Sequence, residues 1–576
     1  MSTEAAGAQA TATADDNAQS EELEYQRIPP SRQLSGKYFL GAYSGEHVAG
    51  TEFVIGAALV TLGVSTGDLI WGLILGNLMA VLSWAWICSP VATRTRMTVY
   101  WFLARLAGKK ISTVYNILNG VFYAVIAGAM ITVSASAFRV LTDIPPQVGL
   151  YPTSASFVIL ALLVGAFTVW LTLKGFKRIA NFSTVCAPWM AIMFLVSGIL
   201  SIPIVTHLGA EQGIDGLGNV LGALVWTGVT PEGEPGINMW VIAAWAWGIN
   251  LPMHLGMSDM SILRFARKSS YGYFSASGMY IGHFMAWVCA GILGATSAML
   301  LKEAMVDLDP GAIAFRLLGA MGLVAVVIAG WTTSIPSLYR SGLAFQAVFH
   351  RHKPFNVALV VGAATTVVAC FPFVFGSLLN VLSYFVMMMA PIGAIIAAEH
   401  FLLPRLSIRP LWREHQGLED NRPAMLTWAI GVILGVVLIA LPQVHLFVVF
   451  LPVWTLSFLL YPLLCRRMGA NTESGIDYYE EAYGPVDPPE LPGESPQAQP
   501  AVNRRDPLYL ISFACLVIII LAALWSWTGD NAAVVDYVET FKWLVIPLSL
   551  VYFVCASIWI HRRRPAAALA ADDPHV

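Results

Sequence analysis

The stretch Gly41-Ala-Tyr-Ser-Gly45-Glu46-His47-Val-Ala-Gly50-Thr51-Glu52-Phe53 sets three glycines and three ionisable groups in the middle of an apolar run covering 38–64. A helix surrounded by lipid satisfies its own backbone, so a break of this kind requires protein or water around it. Ionisable groups at that depth cost about 2.5–3.5 kcal/mol even on lenient scales, and therefore call for partners or a function. Five apolar runs later the pattern returns as Trp245-Ala-Trp247-Gly248-Ile-Asn250-Leu-Pro252-Met-His254-Leu-Gly256-Met-Ser258-Asp259.

The rest of the chain has the composition that such a break needs around it. Of 576 residues, 57% are apolar and only 12% are charged, against about 25% charged in soluble domains. Hydrocarbon-length runs recur near 38–64, 69–92, 113–141, 153–174, 179–206, 238–263, 272–301, 317–348, 355–376, 378–403, 424–442, 445–465, 508–527 and 541–561. The fold class is thus an all-α polytopic membrane protein of about fourteen spans, numbered here in that order. With the N-terminus in the cytosol, 27 of the 32 Lys and Arg residues fall on the cytosolic side. Only Arg139, Lys302, Arg316 and Lys542 lie outside, and Arg340 lies within span 8. The positive-inside rule supports both the count and the orientation. The expectation is a multi-pass protein of the plasma membrane, its partner the lipid bilayer, with both termini cytosolic.

A net charge of −3 argues against nucleic acid as a partner. The seven cysteines stand singly, without the spacing of a zinc site or a disulfide framework. No cofactor motif, phosphate loop or clustered nucleophile is present, which disfavours an enzyme or an ATP-driven pump. No pore element stands out as it would for a channel.

Breaks at matching positions in two halves are the mark of secondary transporters, with substrate and ion between them. Spans 1 and 6 carry such breaks. Spans 5 and 10 each carry an internal Ala-Pro step, Ala187-Pro188 and Ala390-Pro391. Spans 1–5 and 6–10 then form two halves of odd length and opposite orientation, a five-plus-five inverted-repeat core over 36–405. Residues 1–35 are expected to be a disordered cytosolic tail, 406–471 two peripheral helices, 472–506 a cytosolic linker, 507–561 two C-terminal helices and 562–576 a second tail.

Glu46 with His47, at the break, has the chemistry to bond a ring N–H or an amine, or to carry a proton; the alternative is an ion pair with Arg340. Asn250 and His254 are polar groups on the otherwise apolar span 6, and Asp259 is expected to pair with nearby Arg264. Phe122, Tyr123 and Trp247 are candidates to stack on a planar ligand, with Ser337 a further polar contact. Glu52, six residues after Glu46, need not share its face.

Several of these segments resemble the nucleobase–cation symporters, the purine–cytosine permease group. Gly56-Ala57-Ala-Leu-Val-Thr-Leu-Gly63 and Leu73-Ile74-Leu75-Gly76-Asn77 look like that family's first two helices. Gly175-Phe-Lys-Arg178 leading to Ala187-Pro188 resembles its fifth. Ser258-Asp259-Met-Ser-Ile-Leu-Arg264-Phe-Ala266-Arg267 resembles the motif that ends its sixth, with extra residues between Asp and Arg. Ala390-Pro391-Ile-Gly393 through Glu399-His400-Phe401 resembles its tenth. The likeness covers roughly 38–405. It implies a core of the leucine-transporter type and cation-coupled uptake of a small nucleobase-like heterocycle.

It also implies a sodium site where the hydroxyls of Trp331-Thr332-Thr333-Ser334-Ile-Pro336-Ser337-Leu-Tyr339-Arg340 face the broken span 1. Hard cations suit oxygen ligands, here Thr332 and Thr333 with the carbonyls of Gly45 and Val48. Na+ is then the coupling ion, with no resident cofactor. Where the family carries a ring-stacking Trp in helix 3, this chain reads Asn119-Gly120-Val-Phe122-Tyr123. That difference and Glu46 favour the alternative of a sodium symporter for an amine, amino acid or osmolyte. Substrate, coupling ion (sodium or proton) and oligomer are left open.

Overall fold

The structure, a computed structural model, describes residues 27–147, 149–174, 176–470, 506–528 and 534–562. Most of the expected N-terminal tail, nearly all of the 472–506 linker and nearly all of the C-terminal tail lie outside the described residues.

Among the described residues, eleven helices are long and apolar enough to cross a membrane. Three shorter apolar helices complete the pattern: Thr51–Thr61, Met239–Gly248 and Pro354–Ala369. Two of these belong to broken spans. Span 1 is Gly36–Glu46 followed by Thr51–Thr61, each of 11 residues. Span 6 is Met239–Gly248, then Leu251–His254 and Met260–Leu263. Neither half of span 1 crosses a hydrocarbon core of about 30 Å alone, since 11 residues rise about 16 Å.

Helix starts are written in the side chains that satisfy free N–H groups. Ser65 caps span 2 and donates its hydroxyl to Asp68. Asn238 caps span 6 by accepting from Trp240 and Val241 N–H. Asp309 precedes Pro310 at the start of span 8, accepts from Ala312 N–H, and pairs with Arg139 at the end of span 3. The other carboxylate oxygen of Asp68 accepts from Met239 N–H at 2.9 Å, so the first turns of spans 2 and 6 are joined.

Spans 1, 2, 6 and 7 pack on one another, and spans 3, 4, 8 and 9 pack on one another, with spans 3 and 8 aligned over most of their length. Span 3 runs Lys109–Leu141 and span 8 Pro310–Val348. Span 5 (Phe176–Glu211) and span 10 (Leu378–Phe401) carry Pro188 and Pro391 inside their helices, as the Ala-Pro steps predict. Among the described residues, two α-helices of eight residues or more lie between the expected spans, Val99–Ala107 after span 2 and Leu217–Leu224 after span 5.

The last four spans add to the ten-span core. Span 12 lies on span 6, where the Phe450 ring fills the space that a side chain on Gly248 would take. Spans 13 and 14 pack on each other and on span 5. There Trp189 Nε1 donates to Ser549 Oγ at 2.9 Å and the Tyr552 hydroxyl to Val185 O at 2.8 Å.

Glycine admits the close approaches at both breaks. A Cβ on Gly282 of span 7 would lie 1.8 Å from the His47 carbonyl oxygen, and one on Gly393 of span 10 would lie 1.4 Å from that of Leu255. No side chain fits in either space, so these spans press directly on the unwound segments.

Candidate functional site

The break in span 1 occupies His47–Gly50, and its hydrogen bonds account for its shape. In a continuous helix Ala49 N–H would donate to the Gly45 carbonyl, Gly50 N–H to Glu46 and Glu52 N–H to Val48. Instead Ala49 N–H donates to Glu52 Oε1 at 3.3 Å, Gly50 N–H to Ala329 O of span 8 at 3.1 Å, and Glu52 N–H to Ala49 O at 3.3 Å. The Gly45 and Val48 carbonyls thereby lose the donors that a helix would supply. Gly45 lies against Ala187 and Ser183 of span 5.

Span 8 brings hydroxyls to the same place. Thr332 and Thr333 both donate to the Ala329 carbonyl, at 3.1 and 3.0 Å, leaving their oxygen lone pairs as acceptors. Pro336 has no N–H, so the Thr332 carbonyl four residues earlier lacks its helical donor. Two span 8 hydroxyls and the carbonyls freed in spans 1 and 8 are oxygen groups of the kind that suits a hard cation.

The cytosolic half of the site, in the expected orientation, is organised by one buried guanidinium. Arg340 bonds Glu46 through both terminal nitrogens and also reaches Asp259 Oδ1 at 3.4 Å. Asp259 accepts from Trp84 Nε1 at 2.7 Å and from the Tyr43 hydroxyl at 3.3 Å. The Tyr123 ring lies 5.3 Å from the guanidinium carbon, and its hydroxyl bonds Ser258 at 2.8 Å. The cation on Asp259 is therefore Arg340 rather than the expected Arg264, because the second break in span 6, at Met257 (φ +68°), turns Asp259 inward. Five spans meet through this network.

Between the network and the hydroxyls lies a cavity of about 60 Å³. Of the sequence candidates, Glu46, His47, Phe122, Tyr123, Asn250, Thr333 and Ser337 line it, as does Glu52. Thr332 is buried beside it. Trp247 and His254 are placed elsewhere. Trp247 faces spans 2 and 12, with its indole N–H on Ser83 Oγ at 2.8 Å and its ring edge-on to Phe450. His254 packs on the Trp84 ring and donates Nε2–H to Trp247 O at 3.1 Å.

The cavity also exposes His283 of span 7, which the sequence reading did not single out. Its ring stacks on Trp287 at 4.4 Å and lies within 3.3 Å of the Asn250 amide. It lies in Gly278–Ala286, which winds as a π-helix, a form frequent at functional sites. His47 stands 5.2 Å from His283, and its Nε2 is buried without a partner among the described residues.

No family model matches the chain, and no curated protein matches it either. Solved structures do. Mhp1, a nucleobase-cation-symport-1 family transporter in a closed conformation with bromovinylhydantoin bound, aligns with a TM-score of 0.56 at 16% identity over 80% of this chain and 97% of that one. An inward-facing conformation of Mhp1 aligns at 0.59 and 17% identity, over 80% and 99%. The substrate-bound outward-open state of a Na+-coupled sialic acid symporter aligns at 0.53 and 12% identity, over 78% and 93%. The chain has the fold of these proteins: a five-plus-five inverted-repeat core of the leucine-transporter type, with additional C-terminal helices. All are transporters, not enzymes.

Proposed function

We propose that the chain is a secondary active transporter of the plasma membrane that couples entry of a cation, sodium first, to uptake of a small nucleobase-like heterocycle. One observation carries the reading. Breaks in spans 1 and 6 meet at a buried cavity, and the freed span 1 carbonyls and the Thr332 and Thr333 hydroxyls supply oxygen groups of the kind that suits a hard cation. The fold shared with Mhp1 and with a Na+-coupled sialic acid symporter supports the cation-coupled class. That the Mhp1 structure holds bromovinylhydantoin supports a planar, hydrogen-bonding ring as substrate.

In this reading Thr332, Thr333, Gly45 and Val48 hold the ion. Phe122 and Tyr123 border the ring, while Asn250, His283, Ser337, His47 and Glu46 offer donors and acceptors. Trp247 and His254 support span 6 from behind. Residues 36–405 are the transport core, 406–471 and 507–561 are peripheral helices, and both termini are cytosolic. A cavity of about 60 Å³ is far below the 300 Å³ or more of a ligand pocket. The conformer is therefore closed around the site, and substrate entry requires the broken spans to move apart.

A second reading, a symporter of an amine or osmolyte, is favoured by Glu52, a carboxylate on the cavity wall that forms no ion pair with a described residue. Uptake of radiolabelled bases, hydantoins and quaternary amines into proteoliposomes, under an inward sodium or proton gradient, separates the two. Sodium-driven uptake of a base or hydantoin is expected. Uptake of quaternary amines alone overturns the substrate class, and indifference to both gradients overturns the coupling.

A further inference from the structure

Glu52 has a position that neither the substrate site nor the ion ligands account for. Its side chain is completely buried on the wall of the cavity, in the first turn of Thr51–Thr61. Both carboxylate oxygens face back toward the break: Oε1 accepts Ala49 N–H at 3.3 Å and Oε2 the Thr51 hydroxyl at 2.5 Å. Among the described residues no Lys, Arg or His forms an ion pair with it.

Ionised together, the carboxyl groups around the cavity would outnumber its guanidinium. Glu46, Glu52 and Asp259 are three carboxyl groups, and Arg340 is the one guanidinium, already shared by Glu46 and Asp259. A carboxyl this deeply buried keeps its proton unless a cation stands beside it, so an ion at the break and an ionised Glu52 favour each other. The bond from Ala49 N–H to Glu52 is also the one that withdraws the donor from the Gly45 carbonyl, and the neighbouring N–H of Glu52 itself leaves Val48. One residue thus takes part in freeing both span 1 carbonyls, and its carboxyl faces the same break.

We propose that Glu52 is the countercharge and positioning residue of the coupling sodium ion, acting through the Gly45 and Val48 carbonyls rather than as a ligand. This rests on the cation-coupled reading above. The carboxylate lowers the free energy of a cation at the released carbonyls by direct Coulomb attraction in a dry site. It also holds the break open in the ion's absence, so that the site is preorganised. Glu52→Gln keeps the side chain's shape and one acceptor oxygen but removes the charge.

The test is sodium alone, with the full chain in detergent, reading the sodium-dependent rise in melting temperature against choline chloride at constant ionic strength. In the wild type a saturable, sodium-specific rise is expected. Glu52→Gln should raise the half-maximal sodium concentration by on the order of tenfold. Glu52→Asp, which keeps the charge at a shorter reach, should recover part of that loss. Should Glu52→Gln fold poorly, Glu52→Asp carries the test: its shorter reach should raise the half-maximal concentration severalfold, and an unchanged midpoint counts against the proposal. A merely structural Glu52 would lower the melting temperature in choline and leave the sodium midpoint unchanged, and that result overturns the proposal. A wild-type protein with no sodium response overturns the sodium reading itself, a failure visible before any variant is made.

Discussion

Arg340 binds Glu46 through both ends of its guanidinium, so that span 8 holds the last turn before the break in span 1. The same guanidinium reaches Asp259, and this sharing decides how the variants behave. Glu46→Gln leaves Arg340 paired with Asp259, so the protein should fold with near wild-type yield. Arg340→Gln leaves two buried carboxylates without a cation, and removing one partner of a buried pair costs about 3–5 kcal/mol. Detergent-extracted yield and melting temperature should therefore collapse for Arg340→Gln and barely move for Glu46→Gln. Adding Glu46→Gln to Arg340→Gln should recover only part of the loss, since Asp259 stays unpaired.

Thr332 gives a sharper test of the ion site. Thr332→Ala removes a buried hydroxyl whose loss as a ligand should cost about 1.5–3 kcal/mol of ion affinity, or roughly 10- to 100-fold in the sodium needed. Substrate affinity at saturating sodium should stay near the wild-type value, and Thr332→Ser should restore the sodium midpoint. Sodium activation curves of uptake for the two variants measure this directly. An unchanged midpoint in Thr332→Ala would remove that hydroxyl from the site.

The breaks in spans 1 and 6 are legible in the residues because glycine, proline and ionisable groups are costly in lipid and stand out there. The halves are legible because Ala187-Pro188 and Ala390-Pro391 recur at equal intervals from those breaks. The directions of individual side chains are less so. Trp247 sits two residues from Trp245 and three from Asn250, and either face of a helix enclosed by protein can carry an aromatic ring. The turn at Ile249–Asn250 rotates Asn250 into the cavity and leaves Trp247 against span 12. Asp259 misleads for a related reason: sequence proximity favours Arg264, while the positive φ at Met257 sends the carboxylate toward span 8. His283 escapes notice because a lone histidine in an apolar run is more often a packed core residue, and only the fold sets it opposite His47.

Close packing at the second break offers a stability test. Gly393 has the Leu255 carbonyl where its Cβ would be, and the Cβ of Gly393→Ala cannot be accommodated without pushing span 10 off span 6. The yield of monodisperse protein should fall severely. Gly218→Ala, at a position with open space around it, should leave yield and melting temperature unchanged. Size-exclusion profiles of the two variants give the comparison.

On the cytosolic side, in the expected orientation, Glu399 ties span 10 to its surroundings. It accepts Leu411 N–H at 2.6 Å, where Leu411 adopts φ +54°, and the Tyr461 hydroxyl of span 12 at 2.7 Å. Tyr461→Phe leaves one buried carboxylate oxygen without that donor, at a cost of about 1–3 kcal/mol. The melting temperature should drop, while the sodium midpoint and substrate affinity of the folded fraction stay the same, because neither residue lines the cavity. A changed sodium midpoint in Tyr461→Phe would mean that spans 10 and 12 move with the ion site.

His283 should separate substrate recognition from ion binding. Its ring is held by stacking on Trp287 and by the Asn250 amide, so one ring face and edge are fixed before any ligand arrives. Pre-fixed groups add affinity because little side-chain freedom is lost on binding. His283→Ala removes one hydrogen-bonding group worth about 0.5–1.5 kcal/mol and loosens Asn250 as well. Apparent substrate affinity should therefore fall by about tenfold, with the sodium midpoint unchanged at saturating substrate. His283→Gln, which keeps polar atoms but not the stacked ring, should recover less than half of the loss if stacking fixes the geometry. Substrate titrations at fixed saturating sodium, compared with sodium titrations at fixed saturating substrate, resolve the two effects. A shift in the sodium midpoint alone would place His283 with the ion rather than with the ring.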